Sequence, residues 1–250
     1  MLTMTNLAEI HQMLPGSQLL NISLEKSRAV SISGIGSDSR KIQSGELFVA
    51  LSGERFDAHH FLGEIGSSAA SAAMIANPSN CPDHLAAVCV ADTRVGLGQL
   101  AKAWRGRHPI ALALVTGSNG KTTVKEMIAS IFRSAVGEAA TLVTKGNLNN
   151  DIGLPLTLLR LRPSDRLAVI ELGMNHPGET AQLAAIAQPN IALINNAQRE
   201  HQEFMTSVGA VAQEHADALK AFHERLCRLE AIVLRKKEID DGGEVDKGGD

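Results

Sequence analysis

Residues 110–135 constrain the fold of this chain more strongly than any other segment. An apolar run at residues 110–115 is followed by the loop Thr116-Gly117-Ser118-Asn119-Gly120-Lys121-Thr122-Thr123, and a helical pattern opens at Val124. A strand, a glycine-bearing turn and a helix N-terminus in this order form a phosphate cradle, because the backbone N–H groups and the helix dipole both attract an anion. The segment therefore predicts an α/β unit with a phosphate-binding loop.

The side chains of this loop fit a nucleotide. Lys121 provides a positive charge for the β- and γ-phosphates, and the hydroxyl of Thr122 is a suitable ligand for Mg²⁺. The general phosphate-loop pattern has a glycine five residues before Gly120, where this chain has Val115, so the loop is a variant. An ordinary helix start at Gly-Lys-Thr is the alternative interpretation. The residues predicted to contact the nucleotide are Gly117, Ser118, Asn119, Gly120, Lys121, Thr122 and Thr123.

Composition and charge disfavour several classes of protein. The chain is 44% apolar and 20% charged, as soluble globular proteins are. Its net charge of −3 and aromatic content of 3% argue against nucleic acid or an anionic membrane as a partner. Cys81, Cys89 and Cys227 match no metal-ligand pattern, which favours reduced thiols. Because the N-terminus is not signal-like and no apolar run reaches ~18 residues, the sequence predicts a cytoplasmic protein without membrane insertion.

The first hundred residues alternate between strand-like and helical patterns, which predicts a mixed α/β domain that ends near Pro109. Polar stretches at residues 37–40 and 53–60 follow strand-like runs, where binding residues are often found. Asp38 and Arg40 could hold a polar ligand, although their spacing alone favours a surface ion pair. The predicted strands are residues 30–35, 46–51, 72–76 and 87–90, and the predicted helices are residues 58–65 and a stripe from Leu97 to Trp104.

The second half carries polar residues after apolar runs. Glu171 lies near the end of the run at residues 167–172, and His201 follows the run at residues 190–197. The carboxyl ends of parallel strands lie at the same edge as a phosphate loop, so Glu171 could bind Mg²⁺ or be a surface acid. A lone histidine such as His201 is more often structural. The apolar stripe Val124, Met127, Ile128, Ile131, Phe132 and Ala135 predicts a helix that packs this face on a sheet.

Several long segments resemble one known family. TGSNGKTTVKEM, TKGNLNNDIGLPLTLL, VIELGMNHPGE and NNAQREHQEFM are similar, in order and spacing, to the ATP-dependent Mur ligases of peptidoglycan synthesis. The phosphate loop of that family, T-G-x-x-G-K-T/S, accounts for Val115. The segment SDSRKIQSGELFVALSGERFDAHHF resembles the UDP-sugar-binding domain of two members. The resemblance covers about residues 5–217.

The resemblance implies a ligase that uses ATP and Mg²⁺. ATP would phosphorylate the carboxylate of UDP-N-acetylmuramoyl-tripeptide, and the amine of D-alanyl-D-alanine would then attack the acyl phosphate. It implies catalytic roles for Lys121, Glu171 and His201, and Mg²⁺ binding by Thr122, Glu171 and His201. Both substrates are small molecules, and members of the family are usually monomeric. The implied substrate-binding residues are Ser39, Arg40, Glu54, Arg55, Asp57, Asn149 and Asn150.

The chain also departs from the family. Many Mur ligases have a carbamylated lysine at a position that corresponds here to about His215. The family has three domains, so we expect a UDP-muramoyl-peptide-binding domain at 1–108, a partial ATP-binding domain with a P-loop-type parallel sheet at 109–217, and a divergent helical and disordered tail at 218–250. Such a chain is expected to bind ATP–Mg²⁺ weakly and not to ligate by itself.

Other functions remain open at this point. A truncated, inactive module that binds ATP and a UDP-sugar is one alternative. The diamino-acid-adding Mur ligase is another, because its N-terminal domain is alike, and folylpolyglutamate synthase shares the phosphate loop. A regulatory GTPase is disfavoured, because the sequence has no Asn-Lys-x-Asp segment for reading the base.

Overall fold

The computed structural model describes residues 3–53, 56–68, 70–174, 176–198 and 207–217. The predicted site residues Glu54, Arg55 and His201, and the predicted tail at 218–250, lie outside these ranges. The helices are α1 (Leu7–Met13), α2 (Leu24–Ser27), α3 (Leu62–Ser68), α4 (Thr93–Gly106), α5 (Lys121–Val136), α6 (Gly153–Leu158) and α7 (Glu179–Ala187). The strands are β1 (Thr5–Asn6), β2 (Gln18–Leu20), β3 (Ser31–Ile32), β4 (Gly34–Gly36), β5 (Glu46–Val49), β6 (Ser52–Gly53), β7 (Phe56–Asp57), β8 (Ala72–Ile75), β9 (Ala87–Cys89), β10 (Ala111–Thr116), β11 (Thr141–Val143), β12 (Leu167–Glu171) and β13 (Ile191–Ile194). Residues 208–217 are also helical.

The first half of the chain forms a five-stranded sheet in the order β2-β9-β8-β5-β4. All pairs are parallel except β2 with β9. Residues 72–75 of β8 are fully buried, as expected for a central strand that is covered on both faces. The predicted strand at 30–35 is instead two short strands, because β3 pairs with β1 while β4 joins the large sheet. The predicted helix at 58–65 begins as a 3₁₀ turn and continues as α3.

The second half forms a four-stranded parallel sheet in the order β11-β12-β10-β13, which confirms the α/β class. From β10 the chain crosses to β11 on one side, whereas from β12 it crosses back past β10 to β13 on the other side. The order of the strands therefore reverses next to the loop that follows β10. Ligands of open α/β sheets bind at such a reversal, outside the carboxyl ends of the strands.

Helix α5 packs only part of the predicted stripe on the sheet. Val124, Ile128 and Phe132 are partly buried and pack against apolar side chains of β10, β11 and β12. Met127 and Ile131 of the predicted stripe are 64% and 66% exposed. The side of α5 that faces the sheet carries Ala129 and Lys125, which are 0% and 1% exposed. The prediction is therefore confirmed for one half of the stripe and wrong for Met127 and Ile131, because the buried face is shifted towards Ala129 and Lys125, which approaches a buried acid at the edge of the sheet.

Helix α4 connects the two halves of the chain. It packs against α1 as well as against α6 and α7. Trp104 donates its indole N–H to the carbonyl oxygen of Leu161 at 3.1 Å, and the buried guanidinium of Arg105 donates to the carbonyl oxygens of Ala187 and Ile110. These hydrogen bonds satisfy polar groups that would be costly to bury alone. The predicted division between residues 1–108 and 109–217 falls just after this helix and stays a prediction.

Among the residues that the structure describes, no helix has the length and apolar character needed to cross a bilayer.

Candidate active site

The loop after β10 needs glycine at two positions. Gly117 and Gly120 have φ angles of 133° and 75°, which side chains rarely adopt. A Cβ at Gly120 would lie 2.7 Å from Nδ2 of Asn195, and one at Gly117 would lie 3.0 Å from backbone atoms of Asn196. Helix α5 begins directly after Gly120 without a side-chain cap. The first N–H groups of α5 therefore face the loop without a capping side chain, as an anion site requires.

A second segment, residues 195–198, holds this loop in place. The N–H of Ser118 donates to the carbonyl oxygen of Asn196 at 3.1 Å, and the N–H of Asn119 donates to Oδ1 of the same residue at 3.0 Å. Nδ2 of Asn195 donates to the carbonyl oxygen of Asn119 at 2.6 Å. No local sequence pattern indicates this role, because the hydrogen bonds join residues that are almost eighty positions apart.

Lys121 lies over the loop. Its Nζ donates to the carbonyl oxygens of Gly117 and Ser118, at 2.5 and 3.2 Å. Phosphate oxygens are stronger acceptors than carbonyl oxygens for an ammonium group, because charge-assisted hydrogen bonds are stronger. The lysine is therefore in position to exchange these carbonyls for a phosphate. Thr123 is exposed on the first turn of α5.

Glu171 is buried at the end of β12 and is not a surface acid. It is 2% exposed, and its carboxylate is surrounded by donors. Oε2 accepts a hydrogen bond from the hydroxyl of Thr122 at 3.0 Å, and Oε1 accepts one from Nδ2 of Asn149 at 2.7 Å. Nζ of Lys125 lies 3.7 Å from Oε2. Burial of a carboxylate is tolerated when it is paired and hydrogen-bonded in this way.

The oxygen atoms of this cluster fit Mg²⁺. The hydroxyl of Thr122 and the carboxylate of Glu171 are hard ligands, and they lie side by side next to the phosphate loop. Within the described ranges, no group of three or more His, Cys, Asp or Glu side chains could hold a metal ion. Mg²⁺ does not need such a group, because it keeps several waters and uses one or two carboxylates together with phosphate oxygens. The structure thus brings together Thr122 and Glu171, whereas His201 lies outside the described residues.

The two predicted asparagines act differently. Asn149 holds Glu171, as described above. Oδ1 of Asn150 accepts hydrogen bonds from the N–H groups of Ile152 and Gly153, at 3.3 and 2.8 Å. Asn150 therefore orders the turn that leads into α6.

The helical residues 208–217 pack close to the loop. His215 is 1% exposed, and its Nδ1 lies 3.2 Å from the hydroxyl of Thr116, the last residue of β10. The carboxylate of Glu214 accepts hydrogen bonds from the N–H groups of Gly178 and Thr180, each at 2.9 Å, at the start of α7. The position that the resemblance singled out is thus buried beside the phosphate loop.

Three of the predicted substrate residues, Ser39, Arg40 and Asp57, lie after the ends of β4 and β5 in the first half of the chain. Ser39 and Arg40 follow β4, and the side chain of Arg40 is 84% exposed. Its guanidinium pairs with Asp38 through contacts of 2.9 and 3.0 Å. The hydrogen bonds from the side chain and backbone of Arg40 lower the pKa of Asp38 to about 2. The expected surface pair is therefore present.

Asp57 belongs to a network that orders the β6–β7 hairpin. Its carboxylate accepts hydrogen bonds from the N–H of His59 at 3.0 Å and from the hydroxyl of Ser52 at 2.8 Å, and the first of these contributes most to lowering its pKa to about 2. Nδ1 of His59 lies 2.5 Å from the same carboxylate, and Nε2 accepts a hydrogen bond from the N–H of Ala76. Because Nε2 accepts this hydrogen bond, the ring proton lies on Nδ1, which faces Asp57. Asp57 therefore stabilises the hairpin through its hydrogen bonds to Ser52 and His59.

Comparisons with known proteins identify the relatives of this chain. The family model described as the Mur ligase middle domain matches residues 115–238. The UDP-N-acetylmuramoyl-tripeptide–D-alanyl-D-alanine ligases of Haemophilus influenzae and Escherichia coli are 45% and 43% identical to this chain over 198 and 195 residues, which are 79% and 78% of the chain but 43% and 42% of the relatives. The chain thus spans less than half the length of these curated relatives.

Solved structures give the same result. MurF from Acinetobacter baumannii has a TM-score of 0.77 and 36% identity, and the match covers 87% of this chain and 46% of that one. The MurF ligase from Thermotoga maritima, solved in complex with ADP, has a TM-score of 0.67 and 29% identity over 75% of this chain and 43% of that one. A UDP-N-acetylmuramoyl-L-alanyl-D-glutamate–2,6-diaminopimelate ligase has a TM-score of 0.53, covers 86% of this chain and 45% of that one, and at 18% identity shows the fold alone.

Proposed function

This chain belongs to the Mur ligase family, and we propose that it provides the ATP site and the UDP-substrate site of a ligase that joins D-alanyl-D-alanine to UDP-N-acetylmuramoyl-tripeptide. One observation carries the proposal. The hydroxyl of Thr122, on the first turn after the phosphate loop, donates to Glu171, a buried acid at the end of the neighbouring strand. The phosphate-binding loop and an acid that could bind Mg²⁺ therefore lie next to each other, as phosphoryl transfer requires.

The ATP phosphates would lie on the glycine loop and on the first N–H groups of α5. Lys121 would leave the carbonyl oxygens of Gly117 and Ser118 to bind the β- and γ-phosphates. Thr122 and Glu171, together with His201, would hold Mg²⁺, which neutralises charge on the γ-phosphate and on the substrate carboxylate. Asn149 would keep the Glu171 carboxylate turned towards this point.

The reaction proceeds through an acyl phosphate. A carboxylate oxygen of the UDP-linked tripeptide attacks the γ-phosphorus, the bond between this phosphorus and the β-bridging oxygen breaks, and ADP leaves. The amine nitrogen of D-alanyl-D-alanine then attacks the acyl carbon and loses a proton, while inorganic phosphate leaves. The protein residues contribute positioning and charge neutralisation, which dominate in phosphoryl transfer.

The loops of the first sheet would face the UDP-linked substrate. Ser39 and Arg40 offer a hydroxyl and an exposed guanidinium, and guanidinium groups suit diphosphates. Glu54 and Arg55 follow β6, and Asp57 supports the hairpin of β6 and β7. The names of the relatives favour D-alanyl-D-alanine over a diamino acid as the incoming amine. We also propose that the protein is cytoplasmic and monomeric. Light scattering of the purified chain would test the monomeric state.

Calorimetric titration of the chain with ATP–Mg²⁺ tests the nucleotide site. We expect Lys121→Met to weaken binding by roughly tenfold or more, because it removes the ammonium that meets the phosphates. Lys102→Met is the matched control, since Lys102 is an exposed lysine on α4, and this variant should bind as the parent chain does. Equal affinities of the Lys121→Met variant and the parent chain would contradict the proposal.

Thermal unfolding with UDP-linked ligands tests the substrate site. A ligand that binds only the folded chain raises the melting temperature, and at equal concentrations the ligand that binds more tightly raises it more. UDP-N-acetylmuramoyl-tripeptide should therefore raise it more than the corresponding dipeptide does. A larger effect of the dipeptide would instead favour the diamino-acid-adding reaction.

A further inference from the structure

Lys125 is a buried lysine that the proposed reaction does not use. It lies one turn after Lys121 on α5 and is 1% exposed. Burying an ammonium group is costly unless it is paired and hydrogen-bonded. Its Nζ donates to the carbonyl oxygen of Thr144 at 3.1 Å, and it lies 3.0 Å from Oε1 of Glu126 and 3.7 Å from Oε2 of Glu171.

We propose that Lys125 is a positioning residue that holds the Glu171 carboxylate in place for the divalent cation. The inference rests on the proposed function, because it assigns the cation to Glu171. Thr122 and Lys125 are three residues apart on α5 and therefore lie on the same side of the helix. Both approach Oε2 of Glu171, while Asn149 binds Oε1 from the opposite loop. Both oxygens of the carboxylate are thus held.

Thr144 links the lysine to the backbone of the acid. Its carbonyl oxygen accepts from Nζ of Lys125, and its hydroxyl accepts from the N–H of Glu171 at 3.0 Å. Thr144 is itself 1% exposed, so this arrangement is shielded from water. Lys125 therefore ties the end of β12 to the residue that follows β11 and aligns the acid with the first turn of α5.

The ion pair with Glu126 does not explain the burial of Lys125. The side chain of Glu126 is 51% exposed and also approaches Arg133 at 3.5 Å. Such exposed pairs contribute little to stability. The buried partner, Glu171, is the group whose charge would be left uncompensated if Lys125 were removed.

Lys125 and a divalent cation would act on the same carboxylate. Because both are positively charged, the lysine repels the cation while it stabilises Glu171 in the absence of the cation. Removal of Lys125 should therefore destabilise the cation-free chain and make the cation the main counter-charge of Glu171. A lysine that only filled space would not link stability to the cation.

Thermal unfolding of the full chain, with and without Mn²⁺ and without nucleotide, tests this linkage. We expect Lys125→Met to lower the melting temperature by about 6 °C or more, and Mn²⁺ to restore at least half of that loss. Mn²⁺ should stabilise the parent chain less. Glu126→Gln is the matched control, because it removes only the exposed partner, and it should shift the melting temperature by less than about 2 °C.

A double-variant cycle identifies the partner through which Lys125 acts. In the Glu171→Gln background, Lys125→Met should lower the free energy of unfolding by less than half as much as it does in the parent chain. The reason is that the buried carboxylate charge of Glu171 is already absent. If Lys125→Met alone does not fold, the double variant is expected to fold and to give a cooperative transition. The inference would be overturned if Lys125→Met lowered the free energy of unfolding equally in both backgrounds, or if Mn²⁺ raised the melting temperature of the Lys125→Met variant no more than that of the parent chain. It would also be overturned if neither the single nor the double variant folded.

The two proposals can fail separately. If the parent chain does not bind ATP, the proposed function is contradicted, while the cycle still measures the coupling of Lys125 to Glu171. If the parent chain binds ATP but the cycle shows no coupling, only the role of Lys125 is wrong.

Discussion

The two large sheets of this chain differ in how exposed the charged side chains at their carboxyl edges are. At the first sheet, the side chains of Arg40 and Asp38 pair while 84% and 31% exposed. At the second sheet, the side chains of Lys125 and Glu171 are 1% and 3% exposed. Exposed pairs are screened and exchange partners easily, whereas a buried pair has one geometry. The charged groups at the second edge are therefore held in one arrangement, whereas those at the first edge can change their pairing.

The difference comes from what covers each edge. The edge of the second sheet lies beneath the N-terminus of α5, the asparagine loop that carries Asn149, and the helical residues 208–217. The loops of the first sheet that carry Asp38 and Arg40 reach into solvent. Asp57 is intermediate, because its carboxyl is 38% exposed while its partner His59 is 3% exposed. Three variants test this gradient, from the covered edge to the open one.

The largest effect is expected at Gly120. Gly120→Ala forces a side chain into a positive-φ position and displaces Nδ2 of Asn195, which would lie 2.7 Å from the new Cβ. We expect a loss of about 2–3 kcal/mol in the free energy of unfolding and a loss of ATP affinity. Urea unfolding and ATP titration measure the two effects.

Gly178→Ala is the matched control for this variant. Gly178 also precedes a helix with φ and ψ of 88° and −14°, close to the 75° and 5° of Gly120, but a Cβ there would meet nothing within 4 Å. Gly178→Ala should therefore lower the free energy of unfolding only by the backbone strain, which is about 1–2 kcal/mol. Equal losses in the two variants would mean that Asn195 does not brace the loop.

A smaller effect, limited to a range of pH, is expected at Asp57. The pKa of Asp57 is lowered from an ordinary 3.8 to about 2 in the fold, chiefly by the backbone N–H of His59. A lowered pKa stabilises the fold above the ordinary value, and this contribution is lost as the pH falls towards the folded-state value. Because the carboxyl is 38% exposed, the contribution is about 1 kcal/mol or less.

Asp57→Asn should therefore be less stable than the parent chain at pH 7, and the gap should close between about pH 4 and pH 2. Urea unfolding across this range measures the gap. Asp83→Asn, at an exposed turn, is the control for the loss of a surface carboxylate and should be as stable as the parent chain at pH 7. A gap that persists unchanged at pH 2 would show that the carboxylate charge is not what orders the hairpin.

The smallest effect on stability is expected at Arg40. Arg40→Met removes the guanidinium, which is the largest cause of the lowered pKa of Asp38, and keeps the backbone N–H, so this pKa should rise part of the way towards 3.8. The urea midpoint should not change measurably, because the pair is exposed. Binding of the UDP-linked substrate should nevertheless weaken if Arg40 exchanges Asp38 for a phosphate. Carbon-13 NMR titration measures the pKa of Asp38. A clear fall of the urea midpoint would contradict the view that the pair of Arg40 and Asp38 adds little to stability.

Local patterns were sufficient for the main elements of the fold. Continuous apolar runs predicted β5, β8, β10 and β12, because central parallel strands are apolar on both faces. The loop before α5 was predicted from its glycines and its Lys-Thr pair. In contrast, β11 and α7 were missed. The first has only three residues, and the second, ETAQLAAIA, is alanine-rich without a clear stripe.

The order of neighbouring residues was enough to predict the α/β class, the glycine loop before α5 and the acid at the end of β12. That order did not show that Met127 and Ile131 are exposed on α5, that Asn195 and Asn196 hold the loop, or that Lys125 lies beside Glu171. These facts depend on which surfaces meet, and distant segments set that. A lysine looks like a surface residue in any local pattern, and only the buried acid across from it shows why it faces inward.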